Sequence, residues 1–442
     1  MEKMSRVARV VADAISLRTC APLRNPTFRS IWLATQVSSL GWLMQTVASS
    51  WLMATISPSD LMVALVQASS TLPTFILSVF AGAIADNFSR RRVMLAGRCL
   101  MALASAMLTA LAALSLIDPW VILGLSFLVG CGAALNGAAW AASIGDVVDR
   151  RDLPAAVTLT SVGFNTVRAV GPALGGIVVA SFGPMTAFSL TTLSYLSPLC
   201  AIRRCNWKAC PSPLPRESMT AAIYTGARFT AMSSEIKAAI ARGTLFGLAS
   251  ISILALLPLI VRDQFAGGPI AYGILMGSFG TGAVLGGVSN GVFRRKLSQE
   301  RLITLACAAC ATCCISLALT PALALAATAL TLGGAGWVIA WSSLSVSVQL
   351  ASPRWIAGRT ISIYNALTSG GITAGSLVWG AMAQKYSLAL ALEASAGALL
   401  LMTATGFLLP VRERRRSEID PLDGSNAVAG RSHQSEDRNE PP

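Results

Sequence analysis

The chain has 442 residues, of which 54% are hydrophobic and only 12% are charged. Because about a quarter of the residues in soluble domains are charged, this composition excludes an ordinary water-soluble globular protein and predicts a chain that lies mostly in lipid. The net charge of +14 raises nucleic-acid binding as an alternative, but the positions of the basic residues favour an explanation by membrane topology.

Apolar stretches recur along nearly the whole chain. A helix needs about 20 apolar residues to cross a hydrocarbon core of about 30 Å. We predict twelve such spans, at residues 29–55, 61–85, 93–116, 119–144, 157–181, 184–202, 243–262, 270–293, 301–319, 322–350, 360–383 and 388–410. The predicted fold class is therefore an all-α membrane protein with twelve transmembrane helices.

Polar segments flank and separate these spans. Residues 1–28 are predicted to form a cytoplasmic N-terminal segment, residues 203–242 a cytoplasmic linker, and residues 411–442 a disordered cytoplasmic tail. Six spans precede the linker, within residues 29–202, and six follow it, within residues 243–410. The sequence therefore predicts two bundles of six helices each.

The basic residues predict the orientation of the chain. If the N-terminus is cytoplasmic, almost all of the 34 Lys and Arg residues fall in cytoplasmic segments, whereas Arg262 and Lys385 lie in outer loops. This is the distribution that the positive-inside rule describes. We therefore predict a bacterial cytoplasmic membrane protein with both termini in the cytoplasm, in contact with membrane lipids and without a nucleic-acid partner.

One basic motif occurs twice, after the second and the eighth predicted span. The stretch GAIADNFSRRRV begins at Gly82, and GGVSNGVFRRK begins 204 positions later. The corresponding pairs are Gly82 and Gly286, Asp86 and Asn290, Arg90 and Arg294, and Arg91 and Arg295. A second repeat, at an offset of 200, aligns FNTVRAVGPALGG with YNALTSGGITAGS and pairs Asn165 with Asn365. Two equally oriented halves are a known transporter design.

The composition of the repeated motif indicates a gating role. A glycine lets two helices approach closely, a carboxylate such as Asp86 can face the positive end of a helix dipole, and arginines stay among the headgroups. A simple lipid anchor needs only the bases. The added Gly82 and Asp86 predict a latch between helices, and Asn290 in the second copy makes that latch asymmetric.

These motifs resemble the loop between spans 2 and 3 of the major facilitator superfamily. Further stretches resemble the branch that includes the enterobactin exporter and related transmembrane secretion effectors: NPTFRSIW, MQTVASSWL, DRRDLPAA, AYGILMGSFGTGAVLG and GRTISIYNAL, in this order within residues 25–410. The resemblance implies a major facilitator fold of two pseudo-symmetric six-helix bundles. It also implies a monomer that exports a siderophore or drug-like molecule by alternating access, coupled to protons. An importer with the same fold and a non-transporting receptor or scaffold are the alternatives.

The fifth predicted span carries GPALGG, which resembles part of the antiporter motif of exporters in this superfamily. Its Gly171, Gly175 and Gly176 give one smooth helix face, and Pro172 can bend the helix. Such a face suits an interface that seals and reopens during transport. The alternative is tight helix packing without a gating role.

Arg168 lies deep inside the same span, where an arginine is costly to bury. It is predicted to face a cavity or an acidic partner, either as a counter-charge for an anionic substrate or as part of the coupling machinery. The alternative is a structural arginine that bonds to carbonyl groups or to Asn165. Arg98 lies only five residues past Val93, so its side chain can reach the inner headgroups, and we interpret it as a structural residue.

Spans 1, 4, 7 and 10 line the cavity in the family that the chain resembles. The candidate pocket residues on spans 1, 4 and 10 are Gln36, Gln45, Asn136, Trp140, Trp341 and Gln349. Aromatic faces with a few amides suit a bulky, partly aromatic organic substrate, although the same residues can simply pack between helices. Asp86 and Glu393 are the candidate carriers of the coupling proton.

Enzymes are disfavoured because the chain has a single histidine, His433, and no G-x4-G-K-[ST] motif. This argues against a Ser–His relay, a two-histidine metal site and an ATP-binding loop. We therefore expect no cofactor and no metal. The four clustered cysteines, Cys307, Cys310, Cys313 and Cys314, are interpreted as small residues that pack between helices.

Overall fold

A computed structural model describes residues 21–149, 151–205, 219–353 and 356–408. The predicted tail, residues 1–20 of the predicted N-terminal segment and residues 206–218 of the predicted linker lie outside these ranges. Within them the regular secondary structure is helical, and no strand is present. This agrees with the all-α class predicted from the sequence.

Five helices make up what we call the first half of the molecule. They are α1 (Pro26–Ile56), α2 (Asp60–Asn87), α3 (Arg90–Ala113), α4 (Pro119–Val147) and α5 (Leu153–Arg204). Helix α1 begins where the Asn25 side chain accepts hydrogen bonds from two backbone amides, and α4 begins in the same manner at Asp118, each followed by a proline.

Helix α5 is interrupted inside its 52 residues. Gly183 has a φ of 82° and a ψ of 168°, a backbone conformation that favours glycine, and Pro184 follows it. The chain turns at this point, so α5 consists of two helical segments. The break falls between the predicted spans at 157–181 and 184–202.

The second half, as we use the term, comprises helices α7 to α13. These are α7 (Ser234–Ser250), α8 (Ser252–Leu259), α9 (Pro269–Lys296), α10 (Gln299–Leu319), α11 (Leu323–Ala351), α12 (Ala357–Lys385) and α13 (Leu388–Leu408). A π-helical turn, Ile260–Gln264, continues α8. Helix α6 (Met219–Met232) precedes this half and, together with the start of α7, lies within the segment that was predicted to be a linker.

Eight of the described helical stretches are long and apolar enough to cross a membrane by length and composition. Large apolar side chains stand exposed on the outside of the helices, among them Leu103, Leu193 and Leu401. Such side chains are costly in water and favourable against hydrocarbon, so they mark the lipid-facing surface.

Contacts between helix ends define two opposite faces of the molecule. The start of α3 contacts the end of α4 through Arg90 and Asp146, on the face that we call inner because it is predicted to be cytoplasmic. The start of α2 contacts the end of α12 through Ser59 and Gln384, on the opposite face, which we call outer.

The most extensive contacts between the halves are those of α2 with α12 and of α5 with α9. Glycines allow the close approach in the second pair, where a Cβ added at Gly176 would come within 2.9 Å of the Gly273 Cα. Within each half, α1 packs on α5 and α9 packs on α11. The boundary between the halves is therefore built from helices of both, and it contains the candidate site.

Candidate functional site

Arg168 lies at the boundary between the two halves, midway through the depth of the molecule. It follows the start of α5 by 15 residues, which is about 22 Å of helix at 1.5 Å per residue. Its guanidinium carbon is 4.3 Å from the ring centre of Trp337 and 5.2 Å from that of Trp341. The two tryptophans lie one turn apart on α11, which explains why one cation contacts both rings.

The rings around Arg168 form a connected aromatic cluster. Phe164, one turn earlier on α5, has its ring centre 6.0 Å from the guanidinium carbon. Trp337 and Trp341 meet edge to face at 6.0 Å, and Phe246 of α7 meets Trp341 in the same way at 5.8 Å. The negative face of an aromatic ring attracts a cation, so this cluster holds the guanidinium of Arg168 in an otherwise apolar surrounding.

Hydrogen-bond acceptors are scarce around this cluster in the part of the chain that the structure describes. There, Arg168 has no ion pair and no hydrogen bond to a carbonyl group, although the Asn165 side chain lies outside the described residues. The indole N–H of Trp341 and the hydroxyl of Tyr364 are both buried without a hydrogen-bond partner. Three donor groups, on α5, α11 and α12, therefore have no described acceptor.

The environment of Arg98 corrects one expectation from the sequence. The prediction that Arg98 reaches the inner headgroups is wrong, because the residue is only 2% exposed. Its Nε donates to Oδ1 of Asn136 at 3.0 Å, and its terminal nitrogens donate to the hydroxyls of Ser38 and Thr35. The polar side chains of α1 and α4 hold this cation inside the first half, so the predicted pocket residue Asn136 is engaged by Arg98.

The two predicted glutamines of α1 have different surroundings. The amide of Gln36 lies between the indole N–H of Trp32 and the Gly163 carbonyl of α5. Gln45 is 3% exposed and lines a cavity of about 10 Å³, together with Ser49 and Ser126. A polar cavity of this size holds about one water molecule, and it is far too small for an organic substrate.

The remaining predicted pocket and coupling residues make no described contact with Arg168. Trp140 is buried and stacks on Phe28 at 6.0 Å, whereas Gln349 is exposed and donates to Ser345. Asn365 and Glu393 are also exposed. Lys385 lies over the ring of Tyr386, and it makes no ion pair with Glu393 in the described part of the chain.

The repeated basic motif makes related contacts in both halves. Arg90 donates to the carbonyl of Ala142 at 2.8 Å, and Arg294 approaches the carbonyl of Ser342 at 3.4 Å. These acceptors are 200 positions apart, close to the offset between the two motifs. Asn290 is buried and also donates to the Ser342 hydroxyl. One base in each motif is therefore bound by a neighbouring helix, in addition to any contact with lipid.

Some members of the predicted latch can be described only in part. Arg91 donates to the backbone carbonyl of Arg203 at 3.0 Å. Gly286 permits a close approach of α9 to α11, where an added Cβ would lie 2.6 Å from the Ala335 carbonyl. The helical backbone includes Gly82, Asp86 and Arg295, but their side-chain surroundings lie outside the described part of the structure.

The small residues of GPALGG face two different helices. Gly171 and Gly175 pack against α1, at Leu43 and Met44, whereas Gly176 packs against Gly273 of α9 in the other half. Pro172 is buried on the same segment. This glycine face therefore contributes both to the interior of the first half and to the boundary between the halves.

A polar network at the outer face was missed by the sequence analysis. Arg262, in the π-helical turn after α8, bonds to Asp60 at 2.9 Å and to the carbonyls of Ala54 and Ser57 at 3.0 and 3.1 Å. The neighbouring carboxylate of Asp263 also accepts from it. The sequence did contain a signal for this contact: Arg262 and Asp60 have opposite charges and lie at the outer ends of predicted spans in different halves.

The clustered cysteines pack between helices, as predicted. Cys307, Cys310, Cys313 and Cys314 are all buried on α10. Cys310 contacts the Gly333 carbonyl of α11, and Cys314 contacts the hydroxyls of Ser252 and Ser395. Among the described residues no group of ligands suited to a metal ion is present.

Comparisons with known proteins agree with the fold. A solved peptide transporter of the POT family superposes on 90% of the chain and 98% of its own length with a TM-score of 0.70, at 12% identity. This likeness is one of fold. The family model for transmembrane secretion effectors matches residues 17–432, and the chain belongs to that family.

Two characterised relatives match along most of their length. The multidrug efflux pump Tap of Mycolicibacterium fortuitum is 25% identical over 360 residues, which are 79% of this chain and 88% of Tap. The enterobactin exporter EntS of Escherichia coli O1:K1 is 25% identical over 404 residues, which are 90% of this chain and 95% of EntS. The family and these relatives are membrane transporters and not enzymes.

Proposed function

We propose that the chain is a secondary active transporter that exports a small organic molecule by alternating access. In this proposal twelve spans form two six-helix bundles, at residues 29–202 and 243–410. The protein is a monomer in the bacterial cytoplasmic membrane, with both termini in the cytoplasm. The family membership supports transport, and the repeated contacts of Arg90 and Arg294 support the duplicated architecture.

The observation that carries this proposal is the position of Arg168. A transporter needs a site that both halves share, because their relative movement must expose that site to one face at a time. Arg168 belongs to the first half, and the rings of Trp337 and Trp341 belong to the second. A change in the arrangement of the halves therefore changes the surroundings of this cation directly.

In the proposed cycle, the described arrangement is the one closed at the outer face. Arg262, in the turn after α8, bonds to Asp60 at the start of α2. Gln384 of α12 accepts a hydrogen bond from Ser59, which directly precedes α2. Trp51 of α1 stacks on Tyr272 of α9 at 5.0 Å. Release of substrate to the outside requires these contacts to separate, while the motif at Asp86 and Arg90 regulates the inner face.

Export and proton coupling rest on the relatives and on the resemblance. The names of Tap and EntS describe a multidrug efflux pump and an enterobactin exporter, so we propose a drug-like or siderophore substrate for this chain. Protons are the proposed coupling ion, with Asp86 and Glu393 as the candidate carriers. Import of an organic solute, or a receptor role without transport, are the alternatives that an experiment must separate.

The test is transport by the purified full-length chain in proteoliposomes with an imposed pH gradient. Three probes cover the proposed chemistry: ethidium, an iron-free catechol siderophore, and 2-naphthoate. We expect at least one probe to move against its gradient when protons flow the other way. Arg168→Ala should abolish that movement without lowering the amount of protein in the membrane. Transport at the wild-type rate by this variant would refute the role of Arg168, and no proton-driven movement of any probe would contradict the proposed function.

A further inference from the structure

We infer that Arg168, Trp341 and Tyr364 form a binding site for a planar aromatic anion. This inference rests on the proposed transport function and specifies its substrate class. The three side chains come from α5, α11 and α12, so the site spans both halves. The ligand is an aromatic ring that carries a carboxylate or phenolate oxygen.

The donor groups of the site determine the charge of the ligand. Arg168, the indole nitrogen of Trp341 and the hydroxyl of Tyr364 all offer hydrogen atoms, and none has a described acceptor. A buried donor without a partner costs about 1–3 kcal/mol, so a ligand that brings acceptor oxygens relieves several such costs at once. A cationic ligand would instead face the guanidinium of Arg168, and like charges repel.

Packing contacts link the three donors. Arg168 contacts the face of Trp341 at 5.2 Å. Tyr364 packs against α7 at Gly243, where an added Cβ would lie 3.4 Å from the tyrosine hydroxyl. Phe246, one turn further along α7, contacts the edge of Trp341. The same side of α7 therefore supports both uncharged donors.

The aromatic rings determine the shape of the ligand. The guanidinium of Arg168 lies over the rings of Trp337 and Trp341. The faces of these rings are also surfaces on which a flat apolar ligand can stack. A planar ring can stack on the same surfaces or on the guanidinium plane while its oxygen accepts from the donors. Arg168 is itself partly exposed, so the cation can be reached without unfolding the cluster.

Binding of three naphthalene probes to the purified full-length protein tests this inference. The probes are 2-naphthoate, neutral 2-naphthamide and cationic 2-naphthylmethylamine, compared by isothermal titration calorimetry at one pH and salt concentration. Wild-type protein should bind the anion at least tenfold more tightly than either of the others, which corresponds to about 1.4 kcal/mol. Equal or tighter binding of the cation, or no binding of the anion, would overturn the inference.

Conservative variants locate the bound anion. Trp341→Phe removes the N–H and Tyr364→Phe removes the hydroxyl, while an aromatic ring remains in each. Each should weaken 2-naphthoate binding roughly ten- to a hundredfold, as expected for the loss of one hydrogen bond to a charged group. Arg168→Lys keeps the charge but loses the planar fork, and it should weaken binding more. Unchanged affinity in both aromatic variants would assign the anion to a different place.

A matched control separates a local effect from general loosening. Tyr195 is also a buried tyrosine whose hydroxyl has no described partner, but it lies on the second segment of α5 in the first half. Tyr195→Phe should leave naphthoate affinity unchanged, and an equal loss in this variant would overturn the assignment to Tyr364.

The binding and transport experiments distinguish a failure of this inference from a failure of the proposed function. If the anion does not bind but ethidium is transported, the proposed substrate class is wrong, whereas the proposed transport function is supported. If the anion binds but no probe is transported, the binding site is supported, whereas the proposed function is wrong.

Discussion

Arg262 and Asp60 are 202 positions apart in the chain, and their side chains meet at 2.9 Å on the outer face. The same guanidinium donates to the backbone carbonyls of Ala54 and Ser57, so one side chain holds the corner between α1 and α2. Because Arg262 belongs to the second half, this network connects the two halves at the point where an outward opening would begin.

The first prediction is that Arg262→Ala shifts the protein toward an outward-open arrangement. The variant loses the ion pair and two backbone contacts, and we expect the open population to rise by roughly tenfold, as for a loss of about 1.4 kcal/mol. The measurement is the distance between spin labels at positions 116 and 319, which are exposed in different halves. Lys385→Ala, which removes another outer cation, is the control, and the same shift in both variants would argue against a specific lock.

The second prediction concerns the contact between α5 and α9. A Cβ at Gly273 would lie 2.7 Å from the Gly176 carbonyl, whereas a Cβ at Gly277, one turn later on α9, meets nothing within 4 Å. Gly273→Ala should therefore keep the outer ends apart and slow transport severalfold, and Gly277→Ala should not. Spin-label distances and transport rates on both variants provide the comparison, and equal behaviour would show that this crossing does not limit closure.

The third prediction distinguishes the two arginines inside the predicted spans, Arg98 and Arg168. Arg98 donates hydrogen bonds to Asn136, Ser38 and Thr35. Arg98→Ala removes the donor for these three groups and also creates a cavity. We expect a loss of roughly 2–4 kcal/mol of stability, seen as a lower melting temperature and less protein in the membrane. Arg168→Ala should lower transport with little change in melting temperature. A stable Arg98→Ala protein would contradict the structural role.

The fourth prediction concerns the inner face. Arg90 donates to Asp146 at 2.8 Å, and the carboxylate is only 6% exposed. Asp146→Asn should weaken the contact between α3 and α4 and lower the melting temperature by several degrees, because roughly 1–3 kcal/mol is lost when a buried charged hydrogen bond is removed. Asp149→Asn changes an exposed carboxylate three residues away and should have little effect. Equal melting temperatures for both variants would show that the ion pair contributes nothing measurable.

The latch motif gives a fifth prediction. Asp86→Asn makes the first motif like the second, which has Asn290 at the corresponding position. If the charge of Asp86 holds the inner face closed for part of the cycle, the variant should increase labelling of inner-face cysteines and lower transport. Chemical labelling from each side of the membrane measures this change, and an unaltered labelling pattern would contradict a charge-dependent latch.

Much of the architecture follows from local sequence patterns. Hydrophobic length predicts where helices run, because each helix must satisfy its own backbone hydrogen bonds in lipid. The break at Gly183 and Pro184 was predictable for the same local reason, since few other residues adopt that backbone conformation. The depth of Arg168 could likewise be counted along its helix, and its cost in lipid marked it as a candidate before any contact was known.

Contacts between distant parts of the chain were not predictable in this way. Arg98 and Arg168 look alike in the sequence as arginines within apolar spans, yet one bonds to polar side chains and the other lies on aromatic rings. The rotation and packing of neighbouring helices decide which groups surround each cation, and a single sequence carries no direct record of that packing. The sequence by itself determined the helical, membrane-spanning character of this protein and carried the repeated motifs, because hydrophobicity and repeats are properties of local segments. Only the tertiary structure decided that Arg262 meets Asp60 and that Arg168 faces Trp341, because those distances depend on how helices from both halves pack together.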